Sequence, residues 1–414
     1  MKQTSYLLLI ICTLLTNHSI FAKGNTPIQN IYVTDYLPEN YLTDGSVNYR
    51  EYLQKAIDSA IKTKLTLVFP AMQYLVDEQG LKIGSNLTIT MYGAVFIVDE
   101  KCDSDGQVFI GNDIKNLNLF GGEISGRNDK WKEGVNIRGI FISGQSDNIR
   151  IKDMYIHDLT SNGIGLFGEE ESPISDVWVT DTYIDNCCNF YGDYESDKPG
   201  TEPGSVREDQ GSVAFYYVND FTVRGCRFER SRSDGTHFYK CKRGQFTDNK
   251  VYSAQMGGYF LEGCLEVTAA NNIIKNNGSR GVTIERGSFN CTLIGNVVSN
   301  SGRQGLWAPN SAGLTVTGNI FDKNGRKPNG NTNYRIWNAN ITVNAASDPS
   351  NTYTRDYLIA DNIIYTTADQ IAAVHIDADK SRNIIIKNNL LQGENRTIKI
   401  DGKNDGSIVI EGNE

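Results

Sequence analysis

Four consecutive segments decide the fold: GTHFYKCKRGQFTDNKV (235–251), GYFLEGCLEVTAANNII (258–274), GVTIERGSFNCTLIGNVV (281–298) and GLWAPNSAGLTVTGNIF (305–321). Each begins with glycine and contains a short alternating run, a polar turn and a second apolar run close to an asparagine. Their first glycines are separated by 23, 23 and 24 residues. Short strands that repeat at this period without helices predict an all-β fold, a parallel β-helix whose coils stack about 4.8 Å apart.

Weaker copies of the repeat extend in both directions along the chain. Earlier copies begin at Gly106, Gly139, Gly163 and Gly211, and later fragments read LIADNIIYTT, IIIKNNLLQG and IVIEGNE. The repeats also align a column of asparagines, at Asn249, Asn272, Asn296 and Asn319. We expect these side chains to stack at a bend and to bond the backbone of neighbouring coils, which is a role in the fold and not in ligand binding.

The chain divides into three regions. Residues 1–22, MKQTSYLLLIICTLLTNHSIFA, have the charge, apolar run and small final residue of a secretory signal peptide, so the mature protein is predicted to be secreted. Residues 23–95 are predicted to hold the first strands and an amphipathic helix, beginning at EYLQKAIDSAIK, that caps the solenoid. Residues 96–414 form the β-helix, interrupted by a polar inserted loop at 187–209.

Composition excludes some partners. The formal net charge of −9 argues against nucleic acid, whose binding proteins have basic surfaces. The apolar run in residues 1–22 is too short to span a bilayer, and no later segment is apolar enough to do so. The cysteines beyond the signal peptide lack the dense spacing of a disulfide scaffold and are predicted to be small buried residues.

Alternation along the first strand of each repeat separates core residues from outward ones. The third residue after each glycine is apolar and predicted to face the core, as at Phe238, Leu261 and Ile284. The same count places Ala214 in the core and Val213 and Phe215 on the outer face. The outer face becomes ionisable only across a few coils, where one patch is predicted to gather His237, Tyr239, Lys240, Glu262, Glu285 and Arg286.

These residue types fit β-elimination on a uronic acid polymer. The reaction needs a cation beside the carboxylate, a base for the C5 proton and an acid for the leaving oxygen. Lys240 and Arg286 are candidates for the cation, and His237, Tyr239 or Lys240 for the base and acid. Cations gathered in an acidic protein favour an anionic polysaccharide, with binding residues predicted at Phe260, Arg280, Arg303, Trp307 and Arg207 of the inserted loop.

Other functions use the same residues. Glu262 and Glu285 occupy equivalent positions on adjacent coils, close to the roughly 5 to 5.5 Å between the acid and the nucleophile of a retaining glycoside hydrolase. A uronate epimerase needs almost the same groups as a lyase. A third class, a non-catalytic glycan-binding protein, needs aromatic stripes but no proton-transfer cluster.

The N-terminal part resembles the pectin-lyase-like superfamily of right-handed parallel β-helices. The resemblance rests on LQKAIDSAI (53–61), LVFPAMQYLV (67–76), LKIGSNLTITMYGAVFI (81–97) and GGEISGRNDKW (121–131). It implies right-handed coils and a place among polysaccharide lyases, polygalacturonase-type hydrolases and phage tailspikes. Lyases similar to chondroitinase B and alginate lyases use a lysine and an arginine with calcium. For this chain, that implies catalytic Lys240 and Arg286, calcium at Glu262 and Glu285, and a glycosaminoglycan, pectin or alginate substrate.

Overall fold

The computed structural model describes residues 30–132, 134–188, 210–326, 338–345 and 353–414. Three parallel sheets of 14, 13 and 12 strands run the length of the molecule. We call them sheets A, B and C. Each coil contributes one strand to sheet C, then one to sheet A and one to sheet B, as Thr236–Tyr239, Lys242–Thr247 and Lys250–Tyr252 do. The all-β solenoid predicted from the repeat is confirmed.

Sheet A consists of Ile31–Tyr32, Leu67–Val68, Leu87–Thr90, Lys115–Phe120, Asp147–Lys152, Ile174–Thr180, Val218–Arg224, Lys242–Thr247, Leu265–Ala270, Thr292–Ile294, Thr315–Thr317, Thr354–Ala360, Ser381–Lys387 and Ile408–Glu411. Sheet B consists of Asp44–Asn48, Gln73–Val76, Val95–Val98, Glu123–Ser125, Tyr155–His157, Tyr183–Asp185, Arg227–Glu229, Lys250–Tyr252, Ile273–Lys275, Val297–Ser299, Ile320–Asp322, Ile363–Thr366 and Leu390–Gly393. Sheet C consists of Leu81–Lys82, Gly106–Asn112, Ile137–Ser143, Ile164–Phe167, Val213–Tyr216, Thr236–Tyr239, Tyr259–Glu262, Val282–Glu285, Leu306–Trp307, Ala339–Val343, Ala372–Asp377 and Ile398–Asp401.

An α-helix, Arg50–Thr63, covers the N-terminal coils as predicted. Its apolar side buries Leu53, Ala56, Ile57 and Ala60 against the first strands. It ends at Lys64, whose left-handed backbone lets its N–H bond the carbonyl of Ala60. A short 3-10 helix, Val33–Tyr36, precedes it.

The asparagine column connects neighbouring coils by hydrogen bonds inside the solenoid. Asn272 accepts the backbone N–H of Asn249 at 2.9 Å and donates to the carbonyl of Phe246 at 2.8 Å. Its amide also donates to the side-chain oxygen of Asn296 at 2.8 Å. The structure confirms the expected fold role and extends the column to Asn362 and Asn389.

The coil that begins at Gly211 differs from the predicted register. In this coil, Ala214 pairs with His237 and Phe215 with Phe238. Phe215 therefore faces the core, and the predicted outward positions of Val213 and Phe215 are wrong by one residue. Gly211 has a φ of +95° and lies one residue earlier than the glycines of later coils, so counting from it shifts the frame.

The described cysteines are all buried, and none forms a disulfide: Cys102, Cys187, Cys188, Cys226, Cys241, Cys264 and Cys291. Within the same part of the chain, no helix is both long and apolar enough to cross a membrane. The predicted signal peptide and residues 189–209 of the predicted loop lie outside the described residues.

Candidate active site

Three neighbouring strands of sheet C position the candidate site. Thr236–Tyr239, Tyr259–Glu262 and Val282–Glu285 pair in register, so that Tyr239, Glu262 and Glu285 form one column. His237 begins the adjacent outward column, which continues through Phe260 and Thr283. The predicted convergence of these side chains is therefore present, but the patch is not open, because His237 is only 3% exposed and both glutamates are buried.

His237 lies within hydrogen-bond distance of a carboxylate on one side and of a hydroxyl on the other. Its Nε2 lies 3.1 Å from Oε2 of Glu262, and its Nδ1 lies 3.4 Å from the hydroxyl of Tyr216. Because an ionised carboxylate only accepts, Nε2 carries the proton towards Glu262. A neutral ring then leaves Nδ1 to accept the hydroxyl proton of Tyr216, which creates a proton path from tyrosine through histidine to glutamate.

Tyr216 was not predicted from the sequence. It pairs with Tyr239 on the outer face and lies edge-on to His237, with ring centroids 5.4 Å apart. The sequence pattern missed Tyr216 because counting from Gly211 placed Phe215, and not Tyr216, on the outer face. A signal was available, since Tyr216 lies 23 residues before Tyr239 and the repeat is about that long.

Glu262 is held in its ionised form. Besides His237, its Oε1 accepts a hydrogen bond of 2.5 Å from Nη1 of Arg286. Burial alone raises the pKa of a carboxyl, but the hydrogen bond from His237 and the charge and hydrogen bond of Arg286 hold the pKa of Glu262 below its usual range. The site thus contains a fixed negative charge directly behind the histidine.

Two other carboxyls in the site favour protonation. Burial raises the pKa of Glu285, although the charges of Arg280 and Arg286 partly oppose the shift. Burial also raises the pKa of Asp234, even though Asp234 accepts hydrogen bonds from Gln210 at 2.5 Å and from the N–H of Gly257 at 2.6 Å. The pKa values of neighbouring carboxyls are therefore shifted in opposite directions, which is typical of sites that handle protons.

The cationic side chains lie at the bend that follows these strands of sheet C. Lys240, Gly263 and Arg286 all adopt left-handed backbone, with φ values of 50°, 62° and 54°. A side chain at Gly263 would meet Cγ of Lys240 and the carbonyl of Arg286 at 3.3 Å. The space between these two residues at the bend is therefore narrow, and glycine fits it at a positive φ.

Lys240 remains a cation. Its Nζ lies 5.4 Å from the ring centre of Tyr217, 5.5 Å from that of Tyr239 and 4.0 Å from a carboxylate oxygen of Glu170. A hydrogen bond with Tyr217 raises the pKa of Lys240. Burial and Tyr217 raise the pKa of Tyr239 as well. Among the roles predicted for Lys240, its position therefore favours charge neutralisation over proton abstraction.

The predicted binding residues lie in different settings. Phe260 is buried and stacks on the imidazole of His237 at 4.6 Å, so it holds the histidine and is not an exposed platform for sugar. The guanidinium of Arg280 lies 3.9 Å from the ring centre of Trp307, and both residues are half-buried. Arg303 is half-buried in the turn before Trp307. Arg207 lies outside the described residues.

The chain belongs to the family described as the right-handed β-helix region, which matches residues 94–321. This match and the structural neighbours confirm its place in the pectin-lyase-like superfamily. A search of curated protein sequences found no match.

Three solved structures illustrate the range of similar folds. The A-module of the mannuronan C-5 epimerase AlgE6 of Azotobacter vinelandii has a TM-score of 0.69 and 14% identity, covering 92% of this chain and 99% of that one. An exopolygalacturonase of Thermotoga maritima has a TM-score of 0.60 and 14% identity, with coverages of 87% and 92%. The Dettilon tailspike protein has a TM-score of 0.61 and 16% identity, with coverages of 90% and 68%. At these identities the likeness shows the fold alone, and this fold is shared by polysaccharide-acting enzymes and tailspikes.

Proposed function

We propose that the protein is a polysaccharide lyase that cleaves a uronic-acid-containing polymer by β-elimination. The observation that carries this proposal is the chain of contacts from the Tyr216 hydroxyl through His237 to Glu262, set beside three cationic side chains. The neighbouring fold of a mannuronan C-5 epimerase supports a uronate substrate, because epimerisation also begins at C5.

In the proposed reaction, Tyr216 is the base. Its hydroxyl proton passes to Nδ1 of His237, and its oxygen takes the proton from C5 of the uronate. The electron pair of the C5–H bond forms the C4–C5 double bond as the bond from C4 to the leaving oxygen breaks. The proton taken by Tyr216 then goes to that oxygen, and the proton held by His237 returns to Tyr216. Glu262 stabilises the imidazolium until that return.

The cations stabilise the charge that develops on the substrate carboxylate. Lys240 and Arg286 occupy the stacked bend positions on either side of Gly263, so a substrate carboxylate bound beside this bend would lie near both side chains. Arg280 and Trp307 are placed to contact the next sugar along sheet C.

The carboxylates do not fit the calcium ion that the family resemblance implies. Both oxygens of Glu262 are engaged, one by His237 and one by Arg286. Nε of Arg286 also lies 3.6 Å from Oε1 of Glu285, so the same guanidinium contacts both carboxyl groups. No set of three or more His, Cys, Asp or Glu side chains within the described residues is arranged to hold a metal ion. Treatment with EDTA should therefore leave activity unchanged, and loss of activity restored by calcium would contradict this.

A glycoside hydrolase is the second candidate. Glu262 and Glu285 pair directly across adjacent strands, and their pKa values shift in opposite directions. An ionised nucleophile beside a protonated acid is the arrangement that a retaining hydrolase needs. This alternative gives no role to the contact between His237 and Tyr216, so we place it second.

One product assay separates these functions. The purified protein is incubated with alginate, pectate and glycosaminoglycans while the ultraviolet absorbance of the unsaturated uronate is recorded and reducing ends are counted. A lyase yields both signals together. Reducing ends without unsaturated product would overturn the proposal in favour of a hydrolase, and deuterium incorporation at C5 without either signal would identify an epimerase.

A further inference from the structure

A second concave surface lies on another face of the solenoid. On sheet B, at coils closer to the N-terminus than the candidate active site, Tyr92, Glu123, Asp153, Tyr155 and Asp181 line an open groove of about 410 Å³. We call it the tyrosine groove. None of its lining residues belongs to the strands that position His237, Glu262 and Glu285.

Tyr92 forms one wall of the tyrosine groove. It is 59% exposed, and its ring packs over Gly121, whose φ is +72° and where a side chain would collide with that ring at 2.5 Å. Its hydroxyl donates to Oδ2 of Asp153 at 2.8 Å. The aromatic face is thus presented to solvent in a fixed orientation, which lowers the entropy lost when a ligand packs against it.

Tyr155 is the second tyrosine that lines the groove. Its ring stacks on Tyr183 of the next coil at 4.9 Å and on His157 at 4.3 Å, with interplanar angles of 17° and 21°. His157 is itself held by Glu123 at 3.1 Å and by Asp158 at 2.7 Å. Two tyrosines therefore line one groove, and each ring is held by contacts with neighbouring residues.

The polar groups of the groove are mainly carboxylates. Glu123, Asp153 and Asp181 line it, and the nearby cation Lys152 lies 3.8 Å from both aspartates. Carboxylates accept hydrogen bonds from hydroxyl groups, but they repel other anions. The tyrosine groove therefore has the opposite electrostatic character to the bend formed by Lys240 and Arg286.

We propose that the tyrosine groove is a second, non-catalytic carbohydrate site that binds an uncharged polysaccharide. Aromatic rings pack against the apolar faces of sugar rings, and the carboxylates accept hydrogen bonds from sugar hydroxyls. The acidic lining disfavours uronates. This site does not depend on the proposed lyase activity, since it lies on a different sheet and uses different residues.

The test measures binding of the full chain to soluble neutral polysaccharides, namely hydroxyethylcellulose, xylan, galactomannan and laminarin, by affinity gel electrophoresis. Alginate and pectate serve as the anionic comparison. We expect at least one neutral polymer to retard the protein, and Tyr92→Ala and Tyr155→Ala to weaken that binding by about tenfold or more. Asp153→Asn, which keeps both rings, should weaken it less than either tyrosine variant.

Two control variants make the result specific. Tyr365→Ala removes a tyrosine that is 40% exposed on the same sheet but far along the solenoid, and it should bind as the wild type does. Tyr216→Phe should also bind neutral polymer normally, whether or not lyase activity exists. Retardation by none of the neutral polymers, or equal binding by Tyr92→Ala, Tyr155→Ala and Tyr365→Ala with wild-type melting temperatures, would overturn the proposal.

Discussion

His237 contacts one coil on each side of its own, and both contacts follow from the pairing of the strands. On the next strand His237 pairs with Phe260, and Glu262 lies two residues further along. On the preceding strand it pairs with Ala214, and Tyr216 lies two residues further along. In parallel, in-register coils, side chains that face the same way and are offset by two residues on adjacent strands lie diagonally next to each other. The residue is therefore best understood through its neighbours in the stack.

Replacing Tyr216 with phenylalanine tests the proposed base. We expect kcat to fall about a hundredfold or more, because the hydroxyl that exchanges a proton with His237 is lost while the ring remains. The melting temperature should stay near the wild-type value. Tyr239→Phe is the matched comparison, since Tyr239 lies in the same outward column, and it should retain most of the activity. The reverse order of the two variants would show that Tyr239 is the base.

Glu285 should make the protein less stable as pH rises. Its pKa is raised in the folded state, so folding favours the protonated form, and this stabilisation is lost as pH rises from the ordinary carboxyl value of about 4.3 through the folded value. Glu285→Gln carries no charge and avoids that loss. Its melting temperature relative to wild type should therefore increase from about pH 4 towards neutrality.

Glu262→Gln is the control, because its effect on stability should depend on pH in the opposite direction. The pKa of Glu262 is lowered, so its stabilising effect is present above the ordinary value and is lost as pH falls. This variant should be less stable than wild type at neutral pH, and the difference should shrink in acid. Parallel pH curves for both variants would contradict the assigned shifts.

At the scale of the element, the coil is held by two kinds of column. Apolar residues such as Phe238, Leu261 and Ile284 fill the interior, and the asparagines bond backbone groups that the bends leave unpaired. Buried polar groups must be paired, and the asparagine column supplies these partners at the turns between sheets A and B from Asn249 to Asn389.

Asn272→Ala should destabilise the solenoid. The change leaves the N–H of Asn249 and the carbonyl of Phe246 without their partners, at a cost of about 1–3 kcal/mol for each buried group. The fall in unfolding free energy can be measured by chemical denaturation. Asn219→Ala, on the outer side of a sheet A strand, should cost much less, and equal effects would contradict the role of the column.

The coils from 235 to 321 could be predicted from the sequence because each begins with a glycine at a constant spacing. The coil before them was misplaced because Val213, Ala214 and Phe215 are all apolar, so alternation does not distinguish inward from outward residues there. Burial of His237 was also missed. It depends on the rings of Phe260 and Tyr216 from neighbouring coils, and a strand pattern does not specify how side chains of adjacent coils pack.

For the whole molecule, the solenoid arrangement means that each coil depends mainly on its neighbours. The helix Arg50–Thr63 protects one end, and the candidate active site lies several coils away from it. Damage at the cap should therefore remain local. The tyrosine groove lies between the cap and the candidate active site, so its binding should be more sensitive than catalysis to such damage.

Ile57→Ala tests this independence. Ile57 is fully buried under the helix, and truncating a buried isoleucine costs about 2–5 kcal/mol. Hydrogen exchange should accelerate in the first strands while the strands around His237 remain protected and activity persists at room temperature. Uniform acceleration along the chain would show that the solenoid unfolds as one cooperative unit.

The buried cysteines offer a way to measure whether the coils unfold separately or together. Burial raises the pKa of Cys102, Cys226 and Cys291 to about 12, so the reactive thiolate is scarce at neutral pH, and the folded chain also shields each sulfur from reagents. An alkylating reagent can modify each of them only when the surrounding coil opens. Because they lie at different positions along the stack, mass spectrometry of alkylated peptides would record the order in which the coils open.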